Sequence, residues 1–335
     1  MPNSSSFPSG VFAAAVTPLT PDLNPDPGAL PALLDHLAQR GCHGALLFGT
    51  TGEGPSFSIR ERTEFLYEAV HYRDSAQPGF KIFAGTGCPS LSDTIELTHK
   101  AFDLGVDAVL TLPAYFFKGV SAEGLAQFFE QVVRAAVPDD GRLLVYHIPQ
   151  VSGVGVPDES IARLRERGVR QVVGMKDSSD DLAHLLTTAQ AFPGFGVFSG
   201  SDSILTDALN GGAVGCITAL ANVTSPLNRA VWDAHQRGES TSEAQAKLAS
   251  ARQVTKGLNG PAAMKAALAG LFGFPRWSVR PPLEPLSAEQ SRKLAEELGA
   301  LFTAESAKYA EKNRTTAPSL SARFAYSAVK IKDDS

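Results

Sequence analysis

The sequence predicts one parallel (β/α)8 barrel, a TIM barrel, carrying a C-terminal helical extension. Two observations lead there. Short apolar runs alternate with helical patterns eight times within about 230 residues, the signature of repeated βα units. The runs are also continuously apolar instead of alternating, as strands covered on both faces are. A doubly wound open sheet is the alternative, but eight units without a strong nucleotide fingerprint favour closure.

The units follow in order. GVFAAAVTPL (10–19) is the first strand, and ALPALLDHLAQRG (29–41) the first helix, stopped by Gly41. GALLFG (44–49) precedes SIRERTEFLYEAVHYR (58–73), where Ser58 and Glu61 form a capping box. KIFAGTG (81–87) precedes the helix at 90–105, DAVLTLP (107–113) the one at 121–136, and RLLVYHIP (142–149) the one at 158–168. RQVVGMKD (170–177) precedes 181–192, FGVFSG (195–200) precedes 203–212, and AVGCITAL (213–220) precedes an eighth helix at 225–238. Three further amphipathic helices are expected at 243–258, 261–273 and 287–302. Residues 8–240 would thus form the barrel and 241–302 the extension packed on it. Residues 303–335 form a polar tail, ending KIKDDS, that is expected to fray.

Composition narrows the function. A hydrophobic fraction of 43% supplies a sizeable core, and a net charge of −5 argues against nucleic acid as a partner. No run of about 18 apolar residues offers a membrane span, and the N-terminus carries no secretory pattern. Cys42, Cys88 and Cys216 are far apart, which suits reduced, buried thiols in a cytoplasmic protein. With no CxxC or HExxH pattern, no zinc site is expected.

Barrels of this kind build their sites from the C-terminal ends of the strands. There the chain places GTTGEG (49–54), LPAYFF (112–117), VYHIP (145–149), Lys176, SGSDS (199–203) and CITALAN (216–222). GTTGEG exposes backbone N–H groups ahead of a helix, which suits a carboxylate, although such a motif alone is most often a plain turn. Tyr146 alone reads as a packed strand tyrosine, and Lys176 alone as a solvated strand end. His147, the next residue, must face the other way and takes a structural role by default. Together the pair reads differently. Tyr146 and Lys176 end adjacent strands, so both can point into the barrel mouth. A lysine held among Val173, Gly174 and Met175 loses hydration, which disfavours its charged form. A neutral amine attacks a ketone to give a Schiff base, and a phenol can relay the protons this requires. Gly174, two residues back on the same face, leaves room for the lysine stem.

At these residues the chain resembles the dihydrodipicolinate synthase / N-acetylneuraminate lyase family of class I, pyruvate-dependent aldolases. The motifs are GTTGE at 49–53, YxxP at 146–149, GxKD at 174–177 and SGSD at 199–202, within a likeness covering roughly residues 8–300. The resemblance implies that Lys176 forms the imine and Tyr146 shuttles protons. Thr50 would stand near Tyr146, and Gly49, Thr50 and Thr51 would hold the carboxylate of a bound 2-oxo acid. Ile217 would flank its pyruvoyl group. It implies no metal and no cofactor beyond the imine itself. The partners would be pyruvate or another 2-oxo acid and an aldehyde, in a homotetramer or homodimer.

The departures bear on the substrate. The synthase branch carries an arginine where this chain has Val151, and a tyrosine that reaches a neighbouring subunit where it has Tyr115 or Phe116. Without a guanidinium, bidentate recognition of a second carboxylate is lost. The sialic-acid branch carries an acidic pair where this chain has Asp202 and Ser203. The expected reading is therefore a lyase for a 2-keto-3-deoxy sugar acid or a 4-hydroxy-2-oxoglutarate, with Gln150, Val151, Ser152, Asp202 and Ser203 lining the aldehyde side. The alternatives are 4-hydroxy-tetrahydrodipicolinate synthesis, a dehydratase or deaminase using the same imine, and a non-catalytic 2-oxo-acid sensor.

Overall fold

A computed structural model describes residues 8–302; the expected tail at 303–335 lies outside them. Eight parallel strands close into a barrel in chain order, each hydrogen-bonded to the next and β8 to β1. They are β1 (Gly10–Ala14), β2 (Gly44–Leu47), β3 (Lys81–Gly85), β4 (Ala108–Thr111), β5 (Leu143–His147), β6 (Val172–Asp177), β7 (Gly196–Ser199) and β8 (Gly215–Thr218). Between them run α1 (Leu30–Gln39), α2 (Ile59–Ala76), α3 (Leu91–Asp103), α4 (Ala122–Ala136), α5 (Pro149–Ser152), α6 (Asp158–Glu166), α7 (Leu182–Ala191) and α8 (Leu205–Asn210). The helix α9 (Ala221–Gln236) follows β8, and α10 (Ser242–Thr255), α11 (Gly260–Phe272) and α12 (Ala288–Leu301) follow that. No helix among the described residues is long and apolar enough to cross a membrane.

The two-residue period of the strands makes two cores. Phe12, Leu46, Phe83, Leu110, Leu144, Tyr146, Phe198 and Ile217 fill the barrel interior. The alternate residues, among them Val11, Ala45, Val145, Met175 and Val197, pack outward in the helical layer. Cys42, Cys88 and Cys216 are buried and unpaired.

Several elements differ in extent from the sequence reading. The first strand stops at Ala14, although the apolar run continues to Leu19. Val16 and Leu19 are buried in the following loop, so their hydrophobicity reports burial and not strand. The ladder ends because Asn222 takes it over: its Nδ2 donates to Ala14 O at 2.7 Å and its Oδ1 accepts from Val16 N at 3.2 Å. The eighth helix starts at Ala221 and not at Ser225, so Pro226 sits inside it. Proline has no N–H to give the Asn222 carbonyl one turn back. His36 Nε2 donates to that carbonyl instead, at 3.0 Å. Burial and the nearby Arg40 hold the His36 ring down to about 3, so it stays neutral. The expected capping box at Ser58 and Glu61 is present at the start of α2.

The extension is tied to the barrel by buried charge. Glu53, at the end of GTTGE, and Lys265 of α11 have side chains 0% and 1% exposed, with Nζ 2.5 Å from Oε1. Lys265 also donates to Ser278 O at 2.6 Å, and the Arg280 backbone N–H donates to Glu53 Oε2 at 2.8 Å. Burial pushes the Lys265 ammonium below its ordinary value while Glu53 pulls it back up. Arg280 adds its guanidinium to Leu23 O and Ser56 O, both at 2.8 Å, and to the Glu61 carboxylate.

Removing one member of such a pair strands the other charge without water. Lys265→Met is expected to cost about 3–5 kcal/mol of unfolding free energy in urea titrations. A cost below about 1 kcal/mol would mean that the pair is not an anchor.

Candidate active site

The site begins with the register of β5 against β6. Tyr146 lies opposite Lys176, and Leu144 opposite Gly174, on the face that lines the barrel interior. Lys176 is 4% exposed and Tyr146 3% exposed. The lysine Nζ stands 4.5 Å from the centroid of the tyrosine ring. A cation over a phenol face is attracted by the ring quadrupole. The tyrosine hydroxyl lies 3.4 Å from Thr50 Oγ1, across the mouth from β2. Burial pushes the Tyr146 phenol up, but the Lys176 ammonium and the hydroxyls of Thr50 and Ser178 outweigh it and bring the phenol below its ordinary range. A phenol so placed gives and takes a proton more readily than one in a dry pocket without donors.

The GTTGEG turn reaches this point through close backbone packing. A Cβ at Gly54 would meet Phe48 O at 2.1 Å, and one at Gly52 would meet Ala15 O at 2.9 Å. The turn folds on itself through Gly54 N to Gly49 O and Glu53 N to Thr50 O, both 3.1 Å. Glu53 and Phe48 take positive φ, 55° and 56°. Thr17 Oγ1 donates to Gly52 O at 2.7 Å from the β1 side. Thr51 is buried and Thr50 half-buried, and it is Thr50 that stands beside Tyr146.

A phenol, an amine and a hydroxyl at one barrel mouth, framed by these four motifs, decide the family. Residues 7–301 match the model of the Dihydrodipicolinate synthetase family. The chain belongs to that family. It is therefore a lyase of the class I aldolase kind. A DapA-like lyase of Chloroflexus aurantiacus, described as uncharacterized, is 41% identical over 84% of this chain and 93% of its own. A 4-hydroxy-tetrahydrodipicolinate synthase of Symbiobacterium thermophilum is 34% identical over 86% and 96%. Among solved structures, YagE of E. coli K12 in complex with pyruvate superposes with a TM-score of 0.82 at 25% identity, covering 88% of this chain and 99% of its own. The N-acetylneuraminate lyase of Proteus mirabilis gives 0.80 at 25% identity over the same shares.

Family membership leaves the rim of the site to be read residue by residue. Ile217 is fully buried in the interior beside Phe12 of β1. Gln150 donates through Nε2 to Ser178 O and so ties the β5 loop to the β6 loop. Val151 is 64% exposed. Phe116 is 75% exposed, whereas Tyr115 is half-buried against Arg62 and Cys88. Ser203 is half-buried, with its hydroxyl 3.0 Å from that of Ser201.

Two residues expected on the aldehyde side are elsewhere. Asp202 is 1% exposed, and its Oδ1 accepts from Thr218 Oγ1 at 2.7 Å and Asn228 Nδ2 at 2.6 Å. It joins the β7 turn to β8 and α9 instead of facing the mouth. Ser152 is also buried. Its hydroxyl closes its own turn, donating toward Val154 O at 2.7 Å and Ile148 O at 3.0 Å. The short helix α5 causes this: Pro149 opens it and Gly153, at φ 67°, ends it. The sequence reading carries the fifth strand through Pro149 and marks no helix before 158, whereas β5 ends at His147.

Ser178 was missed by sequence reading, as was the reason for Gly200. A Cβ at Gly200 would lie 2.0 Å from Ser178 Oγ. The glycine of SGSD thus makes room for the serine that faces Tyr146. A KDSS run carries too many small polar residues for one of them to stand out.

Burial pushes the Asp202 carboxyl above its ordinary range, against the pull of Thr218 and Asn228. A carboxyl raised on folding binds its proton more tightly in the native state. Its contribution is full below the unfolded value and is lost as pH rises through the native one. Thermal melts from pH 3 to 7 should show Asp202→Asn losing less stability than the parent chain over that rise. Parallel curves would contradict this placement.

Proposed function

We propose that the chain is a Schiff-base lyase that cleaves, or forms in reverse, a 2-oxo acid with pyruvate as one product. The observation that carries this reading is Lys176 Nζ over the Tyr146 ring, with the tyrosine hydroxyl facing Thr50. In this reading Lys176 first gives up a proton to solvent, and its amine then adds to the substrate ketone carbon. Tyr146 delivers a proton to the departing hydroxyl, and water leaves. Tyr146, left as a phenolate, takes the proton of the C4 hydroxyl as the bond between C3 and C4 breaks, the iminium accepts the electron pair and the aldehyde departs; the same phenol can then return that proton. The enamine then takes a proton at C3, and water releases pyruvate and regenerates the amine. Thr50 links Tyr146 to the mouth, and the GTTGE turn with Gly49, Thr50 and Thr51 would hold the carboxylate. The iminium is the electron sink, so the proposed cycle draws on no metal and no other cofactor.

The substrate class proposed is a 2-keto-3-deoxy sugar acid or a 4-hydroxy-2-oxoglutarate. Exposed Val151 offers no guanidinium for a second carboxylate, which weighs against the 4-hydroxy-tetrahydrodipicolinate synthase reading that several relatives' names favour. Assay with pyruvate and aspartate semialdehyde separates the two. A dimer or tetramer is proposed by family likeness, although one structural neighbour is described as a monomeric variant. The three buried thiols suit a reducing compartment such as the cytoplasm.

Borohydride reduction in the presence of pyruvate is expected to leave one reduced pyruvyl group on Lys176, located by peptide mass spectrometry. An unmodified Lys176, or a sensor-like reversible binding with no adduct, sinks the reading. Lys176→Ala should abolish turnover. Tyr146→Phe should lower kcat by about 10²–10⁴-fold in a pyruvate-release assay over a panel of 2-oxo acids.

A further inference from the structure

The outer face of the same two strands holds a second cluster. His147 and Asp177 are register partners, each one residue beyond Tyr146 and Lys176, so their side chains leave the barrel interior. His184, on the first turn of α7, comes down on them. The His147 and His184 rings stack with centroids 4.3 Å apart and planes inclined by 21°. One ligand atom from each of His147, Asp177 and His184 lies within 4.8 Å of the other two. We propose that these three side chains form a binding site for a divalent transition metal of the zinc class.

The surroundings are those of a prepared site. Asp177 Oδ1 is fixed by the N–H and hydroxyl of Ser179, at 2.9 and 2.6 Å. Its Oδ2 accepts from His184 Nδ1 at 2.7 Å, and it is this proton that a metal ion would displace. His147 Nδ1 has both the N–H and the carbonyl of Val156 within reach, at 3.0 and 3.2 Å. In the metal-free chain the Val156 N–H donates to Nδ1, so Nε2 carries the ring proton, which an ion bound there would displace. Two imidazoles and one carboxylate suit zinc, cobalt or nickel better than magnesium or calcium. The Asp177 side chain is 2% exposed and that of His184 24%, so the cluster is shielded but reachable from solvent. Chain separation explains why no short motif marked it: the residues stand at 147, 177 and 184.

The site faces away from Lys176 and takes no part in the imine cycle. Its effect would be to pin β5, β6 and α7 together behind the amine. The proposal does not rest on the Schiff-base reading, and pyruvate trapping at Lys176 tests that reading separately.

The untagged full chain, stripped with a chelator and titrated with zinc ion by calorimetry, is expected to bind one equivalent and to melt at a higher temperature. His184→Ala, on a partly exposed helix face, and the near-isosteric Asp177→Asn should each weaken binding at least tenfold. Circular dichroism shows which variants remain folded, and either one that does suffices. Absence of zinc binding in the parent chain overturns the proposal, and so does undiminished binding in a folded variant.

Discussion

The carboxylate of Glu53 and the ammonium of Lys265 are out of water together, and the mouth of the barrel depends on that contact. Each charge alone would be costly at such burial, so the two must arrive as a pair. Glu53 belongs to the turn that carries Thr50 and Thr51, and Lys265 to the first long helix after α10. The pair therefore ties the extension to the β2 loop in the folded chain. Arg280 completes the clamp by donating its backbone N–H to the same carboxylate and its guanidinium to Leu23 O, Ser56 O and Glu61. The Glu61 carboxyl is held down at about 2, first by the hydrogen bond from Arg280. The C-terminal helices are thus part of what shapes the turn that fronts Tyr146.

Strand alternation divides the work of β5 and β6 between two faces. Tyr146 and Lys176 turn inward, and His147 and Asp177, their next neighbours, turn outward. A shift of register by one residue would exchange the two sets and destroy both arrangements at once. The β5–β6 register is irregular between Leu143 and Leu144, below the functional residues, and regular from Leu144 to His147. The irregularity is absorbed before the chemistry begins.

The fold was legible because its signal is repetitive: eight apolar runs, each followed by a helix with a stop. The inward pair was legible for the same reason, since both residues end strands whose parity can be counted. What could not be read were contacts between distant segments. Asp202 looked like a rim acid because acids after a barrel strand commonly are; only Thr218 and Asn228 reveal it as a buried tie. Ser152 looked like a free hydroxyl, but Pro149 and Gly153 bend the chain so that it satisfies its own backbone. Pro226 hid the start of α9, because the partner that rescues its helix is His36, far earlier in the chain. Glu53 read as one letter of a motif until Lys265 stood opposite it.

The interior below the amine supplies the remaining condition for its chemistry. Phe198 is the register partner of Lys176 on β7. Its ring meets Phe12 edge-on at 5.7 Å, and Phe12 stacks on Phe83 at 4.5 Å. Together they close the barrel beneath Lys176 with three aromatic rings that are at most 1% exposed. Tyr146 and Thr50 stand on the mouth side of the amine. An iminium formed there would sit on a dry floor with its proton donors above it, so charge develops where the hydroxyls are and not where the rings are. Gly174 belongs to the same picture: it lies two residues before the lysine on the same face, between Leu144 and Gly196 in register, and so puts no side chain into the layer beneath the amine.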